Sequence, residues 1–195
     1  MIKKTELTKL YTTEGKSMSA IASILGCSVN KVVYWMDKHK IDRRSISDAV
    51  YLHNHPDGDP FEIKNPKSND DYWLLGMGLG LYWGEGTKAN LHSVRLGNTD
   101  PELIKVFIKF LVQMCGVDFA DLRFGIQIFS DCSISQSEDF WEKYLNANSS
   151  QFYKTIKTPS RSKGTYRKKN KLGVLTIYYN NSRLRDILVE MLPRK

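Results

Sequence analysis

The feature of this sequence that most constrains its fold is a run of glycines inside an apolar segment, "GMGLGLYWGEGTK", at residues 76–88. Glycine disfavours a helix by up to about 1 kcal/mol relative to alanine, so a helix here needs a packing reason. Gly76, Gly80 and Gly84 are four residues apart, and on a helix they form one stripe along which a second backbone can approach closely. We therefore expect a helix that uses Gly76, Gly80 and Gly84 as an interface.

Two other interpretations do not fit the order of residues in the glycine segment. A dinucleotide or phosphate loop has a strand before its glycines and a helix after them, and a phosphate loop continues into Gly-Lys-Ser/Thr. Here apolar residues are threaded between the glycines, and the segment closes on one acid, Glu85. Paired membrane helices also use spaced glycines, but this apolar run is far shorter than the roughly 18–20 residues that span a bilayer.

Basic charge is concentrated in two parts of the chain. The 195 residues include 29 Lys and Arg against 21 Asp and Glu, and residues 154–171 hold eight of the basic residues and no acid. The remainder balances at 21 of each sign, within which residues 1–50 have nine basic and five acidic side chains. Such clusters suit a polyanion such as nucleic acid. A solvated flexible loop over 154–171 is the alternative, and charge alone leaves both open.

The N-terminus and the cysteines bear on where the protein works. The first residues, "MIKKTELTKLY", lack the apolar core of a signal peptide. The three cysteines have no CxxC spacing, which argues against a disulfide framework or a zinc module. We expect a cytoplasmic, intracellular protein with reduced thiols and no membrane partner, associated with the nucleoid when it is bound to DNA.

Residues 1–45 have the pattern of a small all-α domain with a helix-turn-helix. Ser17 or Ser19 can cap a helix that runs through Leu25, Gly26 breaks it, and Ser28 can cap a second helix. Two short helices joined by a glycine turn are typical of this DNA-binding motif, in which the second helix enters the major groove. An ordinary helical hairpin is the alternative interpretation.

The second helix would present Asn30, Lys31 and Tyr34 outward. Asn can pair with an adenine edge, and Lys with guanine or a phosphate. Arg43 and Arg44 follow and are expected to contact phosphates. The segment resembles the resolvase-type or homeodomain-like helix-turn-helix over roughly residues 5–45.

Residues 46–70 are rich in proline, turn residues and acids, and they are interpreted as a linker that lies over the next domain. From residue 71 to 195, helical and alternating patterns are interleaved. The expected order is a helix over about 71–84 followed by "HSVRLGN" (strand), "TDPELIKVFIKFLVQMCG" (helix), "DLRFGIQIF" (strand), "SISQSEDFWEKYLN" (helix), "SQFYKTIK" and "KLGVLTIYYN" (strands) and "NSRLRDILVEML" (helix). This order favours an α+β fold with helices on one face of an antiparallel sheet.

The stretch "GLGLYWGEG", residues 78–86, resembles the LAGLIDADG motif of homing endonucleases. Gly80-Leu81 match its G-L, and Gly84-Glu85-Gly86 match its A-D-G. The αβαβαββα pattern is similar to that family's domain, so the resemblance covers about residues 70–193. It implies a saddle-shaped antiparallel sheet whose alternate side chains read DNA bases. Two positions depart from the motif, since Trp83 replaces its first acid and Gly78 its leading Leu.

The resemblance implies a particular active site and assembly. In that family two motif helices pack through their small residues, which places the last acid of each beside the scissile phosphates. Glu85 is then a catalytic and metal-binding residue, and the Gly84 carbonyl an additional ligand for Mg²⁺ or another divalent cation. Because this chain has one motif, the resemblance implies a homodimer through the Gly76–Gly84 helix and a roughly palindromic double-stranded DNA site.

Further site residues are implied less directly. Relatives often place an active-site lysine on the last strand, where this chain has "LTIYYN", so Lys88 or Lys171 is a candidate for that role, and Gln127 is a candidate for orienting water. Lys88 can equally be a phosphate contact or a solvated side chain. The expected DNA contacts outside the first domain are Arg95, Arg161, Lys163, Arg167, Lys168, Lys169 and Lys171.

Two functions fit these features. One is a Mg²⁺-dependent, site-specific double-strand DNA endonuclease of LAGLIDADG type with an N-terminal helix-turn-helix. The other is a transcription regulator built on the same two parts, which binds DNA and does not cut. The retained Glu85 favours the endonuclease, since a binder has no chemical need for it. The altered motif favours the regulator.

Overall fold

A computed structural model describes residues 1–159 and 171–193. It divides into two compact units, Met1–Asp59 and Pro60–Lys195. Across its described part the chain contains eight α-helices and a four-stranded mixed sheet. The α+β class expected from the sequence is therefore confirmed.

The first unit is helical throughout. Its helices are α1 (Lys4–Thr8), which continues into a π-helical turn (Lys9–Thr13), then α2 (Met18–Ile24), α3 (Val29–Lys38) and α4 (Ile46–Asn54). Ser17 and Ser28 cap α2 and α3, because their hydroxyl oxygens accept hydrogen bonds from the backbone N–H of Ala20 and Lys31. Gly26 has φ of +58° between them, a conformation that glycine adopts without strain. The two capped helices and their glycine turn follow the predicted pattern.

The small core of the first unit is formed by Ile2, by α1 with its π-helical turn, and by α2 and α3. Its fully or nearly buried side chains are Ile2, Leu7, Tyr11, Ile21, Ala22, Val32 and Met36. Of the inward residues on α3, Val32 and Met36 are four positions apart, so they share one face. The opposite side of α3 is left exposed.

The linker expected over residues 46–70 is irregular only in its second part. Residues Ile46–Asn54 form α4, whose first turn is capped by Ser45 accepting from the Asp48 N–H. This local cap escaped the sequence interpretation because proline and turn residues dominate the segment after the helix. The later residues do lie on the second unit, since the N–H groups of Glu62 and Lys64 donate to the carbonyls of Cys115 and Met114.

The second unit has the predicted αβαβαββα order. Its elements are α5 (Asn69–Glu85), β1 (Val94–Asn98), α6 (Pro101–Gln113), β2 (Arg123–Phe129), α7 (Ile134–Leu145), β3 (Ile156–Thr158), β4 (Val174–Tyr179) and α8 (Ser182–Glu190). Helix α5 begins with a capping box between Ser68 and Asp71. The N–H groups of Lys67 and Ser68 donate to the Asp71 carboxylate and lower its pKa.

The sheet is mixed, which corrects the antiparallel sheet expected from the sequence. Its strand order is β1-β4-β2-β3, with β4 antiparallel to both β1 and β2. The edge strand β3 runs parallel to β2. The reason is that α7 carries the chain back between them, and parallel neighbours need such a crossover. The two strands that flank the basic segment, β3 and β4, are separated by β2 and do not form a hairpin.

The sheet has one face in the core and one open face. Residues that alternate along the strands, among them Leu96, Phe124, Ile126, Leu175 and Ile177, are buried with side chains from α5, α6, α7 and α8. The open face consists of the opposite set, which is Arg95, Gly97, Arg123, Gly125, Gln127, Phe129, Ile156, Thr158, Val174, Thr176 and Tyr178. The strand period of two thus separates a buried apolar face from an open face that mixes basic, polar and apolar side chains.

Candidate nucleic-acid interface

The glycine-rich helix α5 makes its close contact inside the chain through Gly78. A Cβ atom at this position would overlap the ring of Phe110 on α6, so only glycine lets the two helices approach this closely. The predicted stripe behaves differently. Gly76, Gly80 and Gly84 are exposed, and a Cβ atom on any of them would meet nothing within 4 Å. Among the described residues, the stripe of Gly76, Gly80 and Gly84 does not pack against another helix. A second copy of the chain is the partner proposed for it below.

Large apolar side chains surround the exposed stripe on α5. Tyr72 is 62% exposed, Trp73 53% and Trp83 51%, and Met77 is also exposed. Trp73, Met77 and Gly80 follow helical spacing, so they belong to one side of the helix. Single exposed apolar residues are ordinary, whereas a contiguous apolar helix face is characteristic of an interaction surface.

Glu85 is the last residue of α5, and its side chain is exposed. The helix ends where the Gly86 N–H donates to the Tyr82 carbonyl and the backbone becomes extended. Within the described residues, neither the Glu85 carboxylate nor the Gly84 carbonyl has a hydrogen-bond or ion-pair partner. Both are hard oxygen donors of the kind that Mg²⁺ binds, so this helix end fits a divalent cation in its donor chemistry.

One chain supplies only part of a metal site. Over residues 1–159 and 171–193, no group of three or more His, Cys, Asp and Glu side chains is arranged to hold an ion. Mg²⁺ commonly keeps several waters and takes only one or two carboxylates together with phosphate oxygens. A cation at Glu85 would therefore depend on DNA phosphates, water or a second copy for its other ligands.

Lys88 has a structural role at the end of α5. Its Nζ donates to the carbonyl of Trp83 at 2.6 Å and to that of Tyr82 at 3.3 Å. A cation at a helix C-terminus satisfies carbonyls that lack partners and interacts favourably with the helix dipole. Two of its three N–H donors are thus used inside the protein.

The sequence interpretation missed Arg185, a residue of α8 that meets the same helix end. Its guanidinium donates to the Lys88 carbonyl and to Asp186 Oδ1, and its side chain is only 11% exposed. Arg185 Nε and the Tyr82 hydroxyl are both buried without a partner in the described part of the chain. Burial raises the pKa of the Tyr82 phenol. Spacing on α8 alone gave no signal for this contact.

Gln127 is exposed on the open face, with Nε2 3.4 Å from Thr158 Oγ1. The end of α5 instead meets β1, because Gly86 pairs with Leu96. Since β4 lies between β1 and β2, Gln127 is two strand spacings from β1, on the order of 10 Å, and it lies a further three residues along β2 from Phe124, the residue across from Leu96. The structure does not bring Gln127 beside Glu85 of the same chain.

Arg95 lies near the end of α5 and begins a row of basic and aromatic side chains. The Thr87 N–H donates to its carbonyl at 2.9 Å. Arg95 and Arg123 both pair in register with Tyr178 of the central strand β4. The Arg95 guanidinium lies 5.1 Å from the centre of the Tyr178 ring. None of the four strands contains Asp or Glu, so this surface is suited to an anionic ligand.

In the first unit, Asn30, Lys31 and Tyr34 are exposed on α3, as the predicted outward face requires. Arg43 is exposed and lies 3.7 Å from Asp37, a surface pair of little energetic weight. These four side chains are available for a ligand.

Arg44 makes several contacts inside the first unit. Its guanidinium donates to the carbonyls of Tyr11, Gly15 and Lys16, and it stacks 4.0 Å from the centre of the Tyr11 ring. The Arg44 N–H also donates to the Tyr11 hydroxyl at 2.8 Å. Arg44 therefore holds the end of the first helical segment, and its contact with a phosphate stays a prediction.

Lys171 is exposed at the start of the turn before β4. The other basic residues predicted in this region lie outside the described residues; these are Arg161, Lys163, Arg167, Lys168 and Lys169.

No helix in the described ranges combines the length and the apolar character that crossing a membrane demands. Comparisons with protein-family profiles, with curated proteins and with solved structures found no match to this chain.

Proposed function

We propose that this protein binds double-stranded DNA site-specifically as a homodimer and hydrolyses its phosphodiester bonds with Mg²⁺ or another divalent cation at Glu85. The observation that carries this proposal is a carboxylate that has no partner among the described residues, at the end of a helix whose exposed face is apolar and lined by glycines. The resemblance of residues 78–86 to the LAGLIDADG motif suggests the same arrangement.

The dimer follows from the exposed face of α5. A stripe of Gly76, Gly80 and Gly84 allows two helices to pack at short distance, and the flanking tryptophans supply apolar area. A twofold axis running along the helix pair sends both C-terminal ends in one direction. The two Glu85 carboxylates then lie at the same end of the interface, one for each DNA strand.

The chemistry proposed for Glu85 is that of a hard-cation ligand. Glu85 and the Gly84 carbonyl would hold the ion against a phosphate, and a divalent ion there supplies activation of water and stabilisation of the departing oxygen. The exposed residues of α3 and the open face would position the duplex. Contacts to phosphates fix the orientation, and contacts to base edges give sequence preference.

A non-cleaving regulator is the second candidate, and a specific observation favours it. The Lys88 amine donates to two carbonyls of α5 and Gln127 lies two strands from β1, and neither group bonds Glu85 within the described part of the chain. The outward residues of α3 would serve DNA binding equally well without cleavage.

The two candidates are separated by comparing Glu85→Gln with the wild type on a DNA library in Mg²⁺, Mn²⁺ or Ca²⁺. Glu190→Gln is a matched control, because Glu190 is also the exposed last residue of a helix. The endonuclease predicts cleavage that Glu85→Gln lowers at least about 100-fold, the scale of losing one electrostatic contact to the transition state, and that Glu190→Gln retains. Selective binding without cleavage in every metal supports the regulator. Absence of selective DNA binding contradicts both.

A further inference from the structure

Two tyrosines and an arginine form a cluster on the open face, and its aromatic rings are not used by the phosphate and base-edge contacts proposed above. We name Arg95, Tyr153 and Tyr178 the aromatic platform. The Tyr153 and Tyr178 rings are 5.3 Å apart between centroids and meet at 79°. Gly125 lies beneath them on β2, and a Cβ atom there would be only 3.0 Å from Tyr178 Cε2. Glycine at position 125 thus leaves room for the Tyr178 ring to lie across the sheet.

The platform is held in place by polar contacts at its margins. The Asn180 amide donates to the Tyr153 hydroxyl at 3.2 Å. Arg95 Nε donates to Ser93 Oγ at 2.7 Å, and Ser93 is buried. Ser93 Oγ in turn donates to Asn90 Oδ1. Planar groups that are fixed in advance lose less conformational freedom when a ligand binds, which raises affinity.

The geometry determines where a flat ligand can stack. Rings at 79° cannot enclose a second planar group between them. Tyr153 is 45% exposed and offers its own ring face. The Arg95 guanidinium lies over the Tyr178 ring at 5.1 Å, and Arg95 is partly exposed. Because nucleobases stack on arginine planes as well as on aromatic rings, we take this guanidinium as a second stacking surface. The platform therefore has two stacking positions, with Tyr178 supporting Arg95.

Charge selects the class of ligand. The strands contain no acid, and Arg123 lies beside Tyr178 in register. The terminal amino groups of Arg95 have no hydrogen bond to the described residues, so they are available for phosphate oxygens. A ligand with flat apolar rings and regularly spaced negative charges matches both features, and a nucleic-acid strand has this chemistry.

We propose that the aromatic platform binds unpaired nucleobases, which makes the open face a binding site for single-stranded nucleic acid. Inside a duplex each base face is covered by its neighbours, so an exposed ring on the protein can stack only on a base that has left the helix. Sequence-tolerant stacking on aromatic side chains beside a positive surface is how single strands are generally bound. This inference does not depend on Glu85 or on cleavage.

The test measures the affinity of the whole protein for a labelled single-stranded DNA oligonucleotide of mixed sequence. Its length of about ten nucleotides is within the usual range of single-strand site sizes. Binding is followed by fluorescence anisotropy at one salt concentration. Tyr153→Leu keeps an apolar side chain and removes the ring. We expect it to weaken binding about 5- to 150-fold, the range for losing one base–aromatic stack. Tyr153→Phe keeps the ring and loses only the Asn180 bond, so binding should stay within about twofold.

Matched controls separate stacking from general damage. Tyr144→Leu removes a tyrosine that, like Tyr153, is hydrogen-bonded through its hydroxyl, but it lies on α7; binding should not change. An oligonucleotide with abasic sites keeps its phosphates and loses its stacking groups. It should bind the wild type weakly, and Tyr153→Leu should have no further effect on it.

Specific results would overturn the proposal. Equal wild-type affinity for the abasic and the complete oligonucleotide would show that only phosphates are bound. Equal binding by Tyr153→Leu and the wild type, with the thermal midpoint unchanged, would remove the platform from the site. An RNA strand of the same sequence is compared in parallel, and tighter RNA binding that needs Tyr153 would support the proposal with RNA as the ligand. Failure of this test leaves the Glu85→Gln cleavage experiment unaffected.

Discussion

At the scale of single residues, two glycines of α5 have opposite requirements. Gly78 faces the Phe110 ring, where an added Cβ has no room, whereas Gly80 faces open space in the chain. Both lie in the interior of the same helix. The same substitution therefore tests packing at one position and helix propensity at the other.

We expect Gly78→Ala to destabilise the protein by about 1–3 kcal/mol, because overpacking displaces Phe110 or separates α5 from α6. Gly80→Ala should raise the stability of the dilute, monomeric chain by up to about 1 kcal/mol, because alanine favours a helix. Urea unfolding at low protein concentration measures both. Equal effects of the two substitutions would contradict the packing assigned to Gly78.

Arg43 and Arg44 are adjacent in sequence but differ in what they contact. The Arg44 guanidinium serves three carbonyls and the Tyr11 ring, whereas Arg43 has one weak surface pair. Arg44→Ala should cost at least about 2 kcal/mol, because hydrogen bonds from a charged group are lost. Arg43→Ala should stay within about 0.5 kcal/mol.

Thermal unfolding of the two arginine variants provides the measurement, and DNA affinity is determined beside it. The structural role predicts that Arg44→Ala lowers the melting temperature while Arg43→Ala does not. A melting temperature unchanged by Arg44→Ala would contradict the structural role assigned to that arginine.

Among the secondary-structure elements, those whose ends are fixed by contacts within a few residues could be predicted from the sequence. Ser17 and Ser28 cap their helices through bonds to residues three positions away, so the signals were readable in a single segment. The element order of the second unit followed in the same way. The helix over 46–54 is the exception, since its weak apolar pattern is followed immediately by turn residues.

Features that depend on distant partners were not readable from the sequence. The parallel pairing of the three-residue strand β3 with β2 is set by the α7 crossover and leaves no mark within β3. The spacing of Gly76, Gly80 and Gly84 identified a stripe of small residues, but it did not reveal that Gly78 meets α6. The Arg185 contact at the end of α5 likewise joins residues far apart in the chain.

The exposed apolar face of α5 leads us to predict a homodimer that forms through this helix. We expect the wild-type chain to sediment as a dimer. Trp73→Glu should raise the dissociation constant of this dimer at least about 30-fold, because losing an interface hot spot costs about 2 kcal/mol. Leu91→Glu is the control, because it also replaces an exposed apolar residue, but one in a loop outside α5. Equilibrium sedimentation measures both. A wild-type monomer, free and on DNA, would eliminate a site built from two Glu85 residues.

At the scale of the whole molecule, basic residues are divided between two compact units. The first presents Lys31 and Arg43 from a helical surface, and the second presents Arg95 and Arg123 from the open face. The excess charge of +8 comes from residues 154–171, however, and much of that segment lies outside the described residues. Its contribution is accessible through the salt dependence of binding.

Each phosphate contact that a protein makes with duplex DNA adds about 0.9 to the steepness of log K against log salt concentration. If the basic segment contacts the duplex, replacing Arg167, Lys168 and Lys169 by Gln should reduce that slope by roughly 2.7, three times this value. Replacing Lys105, Lys109 and Lys143 removes the same charge from the exposed surfaces of α6 and α7. That control should leave the slope within about 0.5, because long-range charge alone is screened beyond about 8–10 Å. Equal slopes for both triple variants would assign the segment's charge to solubility and place the duplex contacts elsewhere.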